Sequence, residues 1–245
     1  ADPEFVQFHP TAINIGRDKR RSVKAEYHFV DEAKSSIDYL KYVLNGEGHA
    51  ARVGQDLQLH HGRFDHVCDR IVSRVQERKG GARAIFLLDQ YAYDDVPFPM
   101  VRSIFDKVQG AEVILTFNVD SLISFLSDTP KSRAKMREIG LEQYIDWDIC
   151  QKDAKDANWR PLIQEQLSNA IWKASGAKFM TLFFIRPLGK TPWSYWLVHL
   201  SNKFRARDVM MALHWKRGNS FGHSLDPGLF KIGYEAGGDE KVTGQ

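Results

Sequence analysis

From Tyr27 to Asp128 the chain alternates short apolar runs with stretches whose apolar positions recur every three or four residues. Four runs have strand character. Tyr27 to Asp31 ends in an acid. Asp56 to His61 sets Leu57 and Leu59 against polar neighbours. Ala84 to Leu88 is continuously apolar and stops at Asp89. Ala111 to Phe117 ends at Asn118. A continuous apolar run bounded by turn signals predicts a strand buried on both faces of a parallel sheet, and Ala84 to Leu88 fits that description best. Between the runs lie helical stripes: Ala33, Ile37, Leu40, Val43 and Leu44; Val67, Ile71, Val72 and Val75; Val101, Ile104, Phe105 and Val108. Asn45-Gly46, Lys79-Gly80-Gly81 and Gly110 supply stops. Asp65 and Asp120 stand where helix caps are expected, the second before a helix over Ser121 to Leu126. Strand and helix in strict alternation predict parallel β-α units over residues 6–128.

The rhythm then changes. Residues 129–177 are polar and helix-rich, carry Trp147, Trp159 and Trp172, and read as a helical insertion. Leu162, Ile163, Leu167, Ala170 and Ile171 mark its clearest apolar face. Phe179 to Leu188 and Ser194 to Ser201 are two apolar runs joined by a short turn, which predicts an antiparallel hairpin. A helix is expected over Lys203 to Trp215, closing the same domain at residue 217, and residues 218–245 read as a loop-like tail. The fold class expected is therefore α/β: a doubly wound, mostly parallel sheet ending in an antiparallel hairpin, with a helical insertion. That is the layout of Rossmann-like methyltransferases.

Composition changes this picture little. The 245 residues carry a net charge of +3, and 43% are hydrophobic, as in ordinary globular proteins. Two cysteines, Cys68 and Cys150, make neither a disulfide framework nor a metal spacing, and fit a reducing, cytoplasmic setting. No apolar run approaches the ~20 residues of a membrane span, and no signal peptide is visible. Residues 1–5 resemble a cloning scar. One local excess of charge stands out: Arg17, Lys19, Arg20, Arg21 and Lys24. It reads either as a solvated loop or as a contact for nucleic acid.

Candidate chemistry gathers after the strands. In open α/β sheets ligands bind beyond the carboxyl ends of strands. Asp31, Gly62, Phe64, Asp65, Asp89, Gln90 and Tyr91 all fall there. An acid such as Asp31 accepts hydrogen bonds from ribose hydroxyls; the alternative is that it only caps a helix. Gly62, Phe64 and Asp65 would lie against the cofactor, with Phe64 or Asp65 flanking an adenine ring and its amino group. Asp89, with Gln90 and Tyr91, would face an acceptor, and Tyr91 or Tyr93 would stack on a flat base. His60, His61 and His66 are close in sequence, but His60 and His61 point to opposite faces of a strand, against a metal site. There is no Walker loop, no Gly-x-Gly-x-x-Gly and no nucleophile elbow. The glycine-rich turn a nucleotide cofactor normally needs is missing. Either a first strand and its loop precede this sequence, or the site has degenerated.

Several segments together resemble a known family. These are Phe29-Val30-Asp31, His61 to Phe64, Phe86 to Tyr91, Glu112 to Phe117, Leu182 to Leu188 and Tyr195 to Ser201. In them the chain is similar to the three-Cys-motif partner family, bacterial proteins with a Rossmann-like, methyltransferase-type domain. The resemblance implies that fold, a methyltransferase-like ancestry and a partner protein, and it implies an upstream Asp/Gly-rich first loop from which this chain departs. Three functions follow as expectations. The first is an S-adenosylmethionine-dependent methyltransferase-like protein, acting on nucleic acid. The second is a non-catalytic module that binds through its sheet edge and helical insertion. The third, weaker, is a nuclease gathering a divalent cation at Asp31, Asp65 and Asp89.

Overall fold

The computed structural model describes residues 12–14, 20–22, 25–78, 83–90, 92–151, 159–186, 194–223 and 230–235. The chain divides into two compact units, Ala1–Ile71 and Val72–Gln245. The protein is α/β with mixed sheets, and among the described residues no helix is long and apolar enough to cross a membrane.

In the first unit β1 (Ala12–Asn14) and β2 (Arg20–Ser22) form a short antiparallel pair. Next, β3 (Tyr27–Asp31) and β4 (Leu57–His61) pair in parallel, in register from Tyr27↔Leu57 to Asp31↔His61. The crossover between them is α1 (Lys34–Gly46), as the alternation predicts. The apolar stripe of α1 is only partly covered: no residue of the helix is buried, and Tyr39 and Tyr42 are 69% and 74% exposed. The helix α2 (Phe64–Gln76) begins in this unit and ends in the second.

The second unit is built on a six-stranded sheet. Its strands are β5 (Arg83–Asp89), β6 (Gly110–Asn118), β7 (Phe179–Arg186), β8 (Tyr195–Ser201), β9 (Ser220–His223) and β10 (Phe230–Glu235). They lie in the order β5-β6-β8-β7-β10-β9. Between β5 and β6 runs α3 (Phe98–Lys107). After β6 come α4 (Val119–Phe125), α5 (Pro130–Glu138), α6 (Trp147–Cys150) and α7 (Trp159–Ser175), and after β8 comes α8 (Phe204–Arg217).

One sheet face carries the core. Alternation puts Ala111, Val113, Leu115 and Phe117 of β6 on one side, all fully buried, beside Phe86 and Leu88 of β5 and Val198 and Leu200 of β8. Helix α3 contributes Phe98, Val101, Ile104 and Phe105, and it packs on α7, which contributes Ile163, Leu167 and Ile171. The helical insertion is thus part of this core. Gly140 ends α5 at φ 82°, and a Cβ there would lie 2.6 Å from Pro99 Cδ, so helix end and α3 meet closely only because the side chain is missing.

Three expectations are corrected. The large sheet is mixed: β5–β6 and β7–β10 are parallel, while β6–β8, β7–β8 and β9–β10 are antiparallel. The predicted hairpin β7–β8 forms, but in the interior of the sheet. The tail supplies β9 and β10, where residues 218–245 read as a loop; β10 is short and interrupted by Gly233, so its strand signal is weak until β7 pairs with it. Finally, among the described residues β5 stands at the end of the strand order, not inside it. Phe86 and Leu88 are buried on one face of the strand, whereas Ile85 and Leu87 on the other face are 64% and 72% exposed.

Candidate functional site

The second unit assembles a polar row at the carboxyl ends of β5 and β6. Parallel register sets Asp89 beside Thr116. The Thr116 hydroxyl donates to Asp89 Oδ1 at 2.6 Å and accepts the Gln90 backbone N–H at 3.2 Å. The exposed carboxylate is thereby oriented by a neighbouring strand. Gln90 turns inward and is 8% exposed; its Oε1 accepts the Val96 N–H at 3.2 Å, and its buried Nε2 has no hydrogen-bond partner among the described residues. Tyr91 lies outside the described residues. Tyr93 is partly buried, and burial followed by the charge of Asp94 raises its phenol pKa.

Further along this edge the chain departs from its own local signals. Asn118, not Asp120, caps α4: its Oδ1 accepts the Ser121 N–H at 3.0 Å. Asp120 points elsewhere, accepting the Ser194 N–H on Oδ2 and pairing through Oδ1 with Arg160 of α7. Sequence reasoning missed Arg160 and Ser194, which lie 40 and 74 residues from Asp120. No local signal connects them. Nearby, Asp128 accepts from Arg133 and from Gln151, which holds its carboxyl below the usual range, and the Arg133 guanidinium lies 4.5 Å from the centre of the Trp147 ring.

In the first unit the residues expected around an adenosine are close together but differently employed. Asp31 is exposed, and its Oδ1 accepts the Ala33 N–H at 2.7 Å at the start of α1. The bond goes to the N-cap residue Ala33 and not to an N–H within the helix, so Asp31 is not the side-chain cap that stood as the alternative. Gly62 has φ 142° and donates its N–H to Asp31 O at 2.9 Å, with open space where a Cβ would stand. Phe64 opens α2. Asp65 lies in the first turn of α2 and receives the Arg63 guanidinium on both oxygens, at 3.2 Å each; that bond is the main reason its carboxyl is held below the usual range.

A histidine chain runs behind these groups. His28 and His60 stack, with ring planes 3° apart, and His28 Nδ1 lies 3.0 Å from His60 Nε2. Arg70 lies 2.9 Å from His60 Nδ1, and Glu26 pairs with His28 Nε2 at 3.2 Å. A guanidinium only donates, so His60 Nδ1 is the acceptor, His60 Nε2–H donates to His28 Nδ1, and His28 Nε2–H donates to Glu26. Both rings are thus neutral and in fixed tautomers. Burial, then His28, then Arg70 lower the His60 pKa.

Among the described residues no three His, Cys, Asp or Glu side chains gather as a metal site. Of the basic cluster, Arg17 and Lys19 lie outside the described residues, and Arg20 and Arg21 are placed only as backbone of β2. Neither a protein-family model nor a curated protein matches the chain.

Proposed function

We propose that this chain is a non-catalytic binding module on an α/β scaffold of methyltransferase type. One observation carries the reading: the carboxylates expected to perform chemistry are engaged by the chain's own groups. Asp65 is neutralised by Arg63, and Asp31 and Asp89 each give one oxygen to a local donor. The alternating β-α units and the similarity to the three-Cys-motif partner family support the scaffold. The surface offered for binding is the exposed edge of the large sheet, and the sequence adds the basic residues Arg17, Lys19, Arg20 and Arg21. Titration calorimetry with S-adenosylmethionine on the 245-residue chain tests it. No heat of binding is expected. Saturable binding, together with methyl transfer that Asp89→Ala abolishes, overturns it.

A second reading, an S-adenosylmethionine-dependent methyltransferase, is favoured by Gln90, whose buried amide donor has no partner among the described residues and adjoins the oriented, exposed Asp89. The residues of the first unit fit the cofactor in part. The second oxygen of Asp31 suits a ribose hydroxyl, and the open space at Gly62 admits a ligand close to the backbone. Asp65, bridged to Arg63, does not suit an adenine amino group. When bound, the cofactor supplies an electrophilic methyl group. Asp89 would accept an N–H of the methyl acceptor and leave its lone pair exposed for attack. The same titration separates the two readings.

A further inference from the structure

We propose that α8 is a proton-operated latch: acid charges His214 on its inner side and lifts the helix from the sheet, while the sheet itself stays folded. The latch lies wholly in the second unit and does not depend on the binding-module reading. It begins with a layer of unsatisfied polar groups. Helix α8 packs on β7, β8 and β10. Thr181 of β7 and His199 of β8 are directly opposed, so they share a face of the sheet. Phe183 lies two residues along β7 on that same face, and the His214 ring packs against it at 4.8 Å between centres. Thr181 Oγ1, His199 Nδ1 and both ring nitrogens of His214 are buried and have no hydrogen-bond partner among the described residues. The three residues are at most 4% exposed. Buried polar groups are normally paired, and unpaired ones weaken the contact that buries them. Apolar neighbours therefore hold α8 down over groups that would gain hydrogen bonds to water on opening.

The surrounding charges make His214 the trigger. On this face β6 brings Glu112, opposite Ser201 of β8. Its Oε2 lies 3.0 Å from His199 Nε2, which carries the proton because a carboxylate only accepts, so this carboxylate is already engaged by a histidine. β7 brings Phe179, Thr181, Phe183 and Ile185, none of them charged. β8 adds Tyr195 to His199, and β10 brings Ile232 and Tyr234, opposite Phe183 and Ile185. The two phenols are uncharged at pH 7 and below. On α8 itself Arg207 and Arg217 stand seven residues before and three after His214, on the same side, while the one acid of the helix, Asp208, stands six residues before it, about 120° round the axis. A proton on His214 thus meets a second histidine and basic groups, and no carboxylate. Burial first, and His199 second, depress its pKa from 6.5 to about 4. Once α8 opens, the imidazole regains water and its ordinary value, so docking is complete above 6.5 and is lost as pH falls towards 4.

Amide hydrogen exchange of the intact chain, expressed as protection factors to remove the pH dependence of the exchange chemistry, tests this. Between pH 7 and about pH 5 the protection of α8 is expected to fall about tenfold, while β6 and β8 keep theirs. His214→Leu keeps an apolar side chain against Phe183 and removes the charge, so the fall disappears. Thr181→Val replaces a hydroxyl with a methyl of like shape, so α8 is better protected at both ends of the range and the tenfold fall persists. A wild-type α8 whose protection does not change with pH overturns the proposal, and this measurement needs no variant. So does a fall shared equally by β6, which is unfolding of the whole sheet and not release of the helix. A fall that His214→Leu leaves intact, or a Thr181→Val chain whose α8 is less protected than the wild type, overturns it as well.

Discussion

At the scale of single residues, local duty explains most of what the candidate groups do. Gly62 is needed for its backbone: φ is 142°, and no atom within 4 Å would obstruct a Cβ. Gly62→Ala is therefore expected to cost about 1 kcal/mol through strain alone, read as a lower urea midpoint. The histidines carry a pH signature. His60 has a folded-state pKa below its ordinary value of 6.5. Its contribution to stability is complete above 6.5 and is lost as pH falls below it. Titration by NMR should place His60 under 6.5, and Arg70→Met should move it up by removing the weakest of three causes. His214 follows the same sign more strongly. Burial against Phe183, and then His199, depress it from 6.5 to about 4. Between pH 6.5 and 4 the unfolding free energy should fall by about 2 kcal/mol for this group, after allowance for solvent screening. His214→Leu should flatten that part of the profile.

At the scale of elements, the periodicities are faithful and the connections are not. The stripe Val101, Ile104, Phe105 predicts α3, and the structure buries it almost completely. Ile104→Ala should cost about 3 kcal/mol in chemical denaturation. Asp120 shows the limit of local reading. Its position suggests a cap, yet Asn118 takes that role, and Asp120 ties α4 to α7 and to the start of β8. Asp120→Ala leaves a backbone N–H and a guanidinium without their acceptor, and a loss of about 2 kcal/mol is expected. Asn118→Ala should cost about 1 kcal/mol, as ordinary cap removal does. The inverse order of the two losses, measured by thermal or urea unfolding, would contradict the assignment. The β9 and β10 strands were not legible, because a short strand interrupted by glycine acquires its identity from its neighbour β7.

At the scale of the whole molecule, burial is unequal between the units. The described part of β6 has four fully buried side chains, whereas no residue of α1 is buried. Amide exchange should accordingly be slowest in β6 and β8 and fastest in α1, by several orders of magnitude. The alternation of strands and helices, the predicted hairpin and the positions of Asp31 and Asp89 at strand ends were all legible in the chain. Each depends on side chains within one turn or one strand of each other, where periodicity alone decides which face is apolar. Strand order was not, nor was the employment of Asp120 by residues 40 and 74 positions away. The run Ala84 to Leu88 shows the division most clearly. Its sequence determined that it is a strand with apolar residues on both faces. Only the tertiary structure decided that, among the described residues, β6 is its strand neighbour and that Ile85 and Leu87 stand on an exposed face, because a strand's neighbours are chosen by pairing across the sheet, and no local pattern records which neighbour arrives.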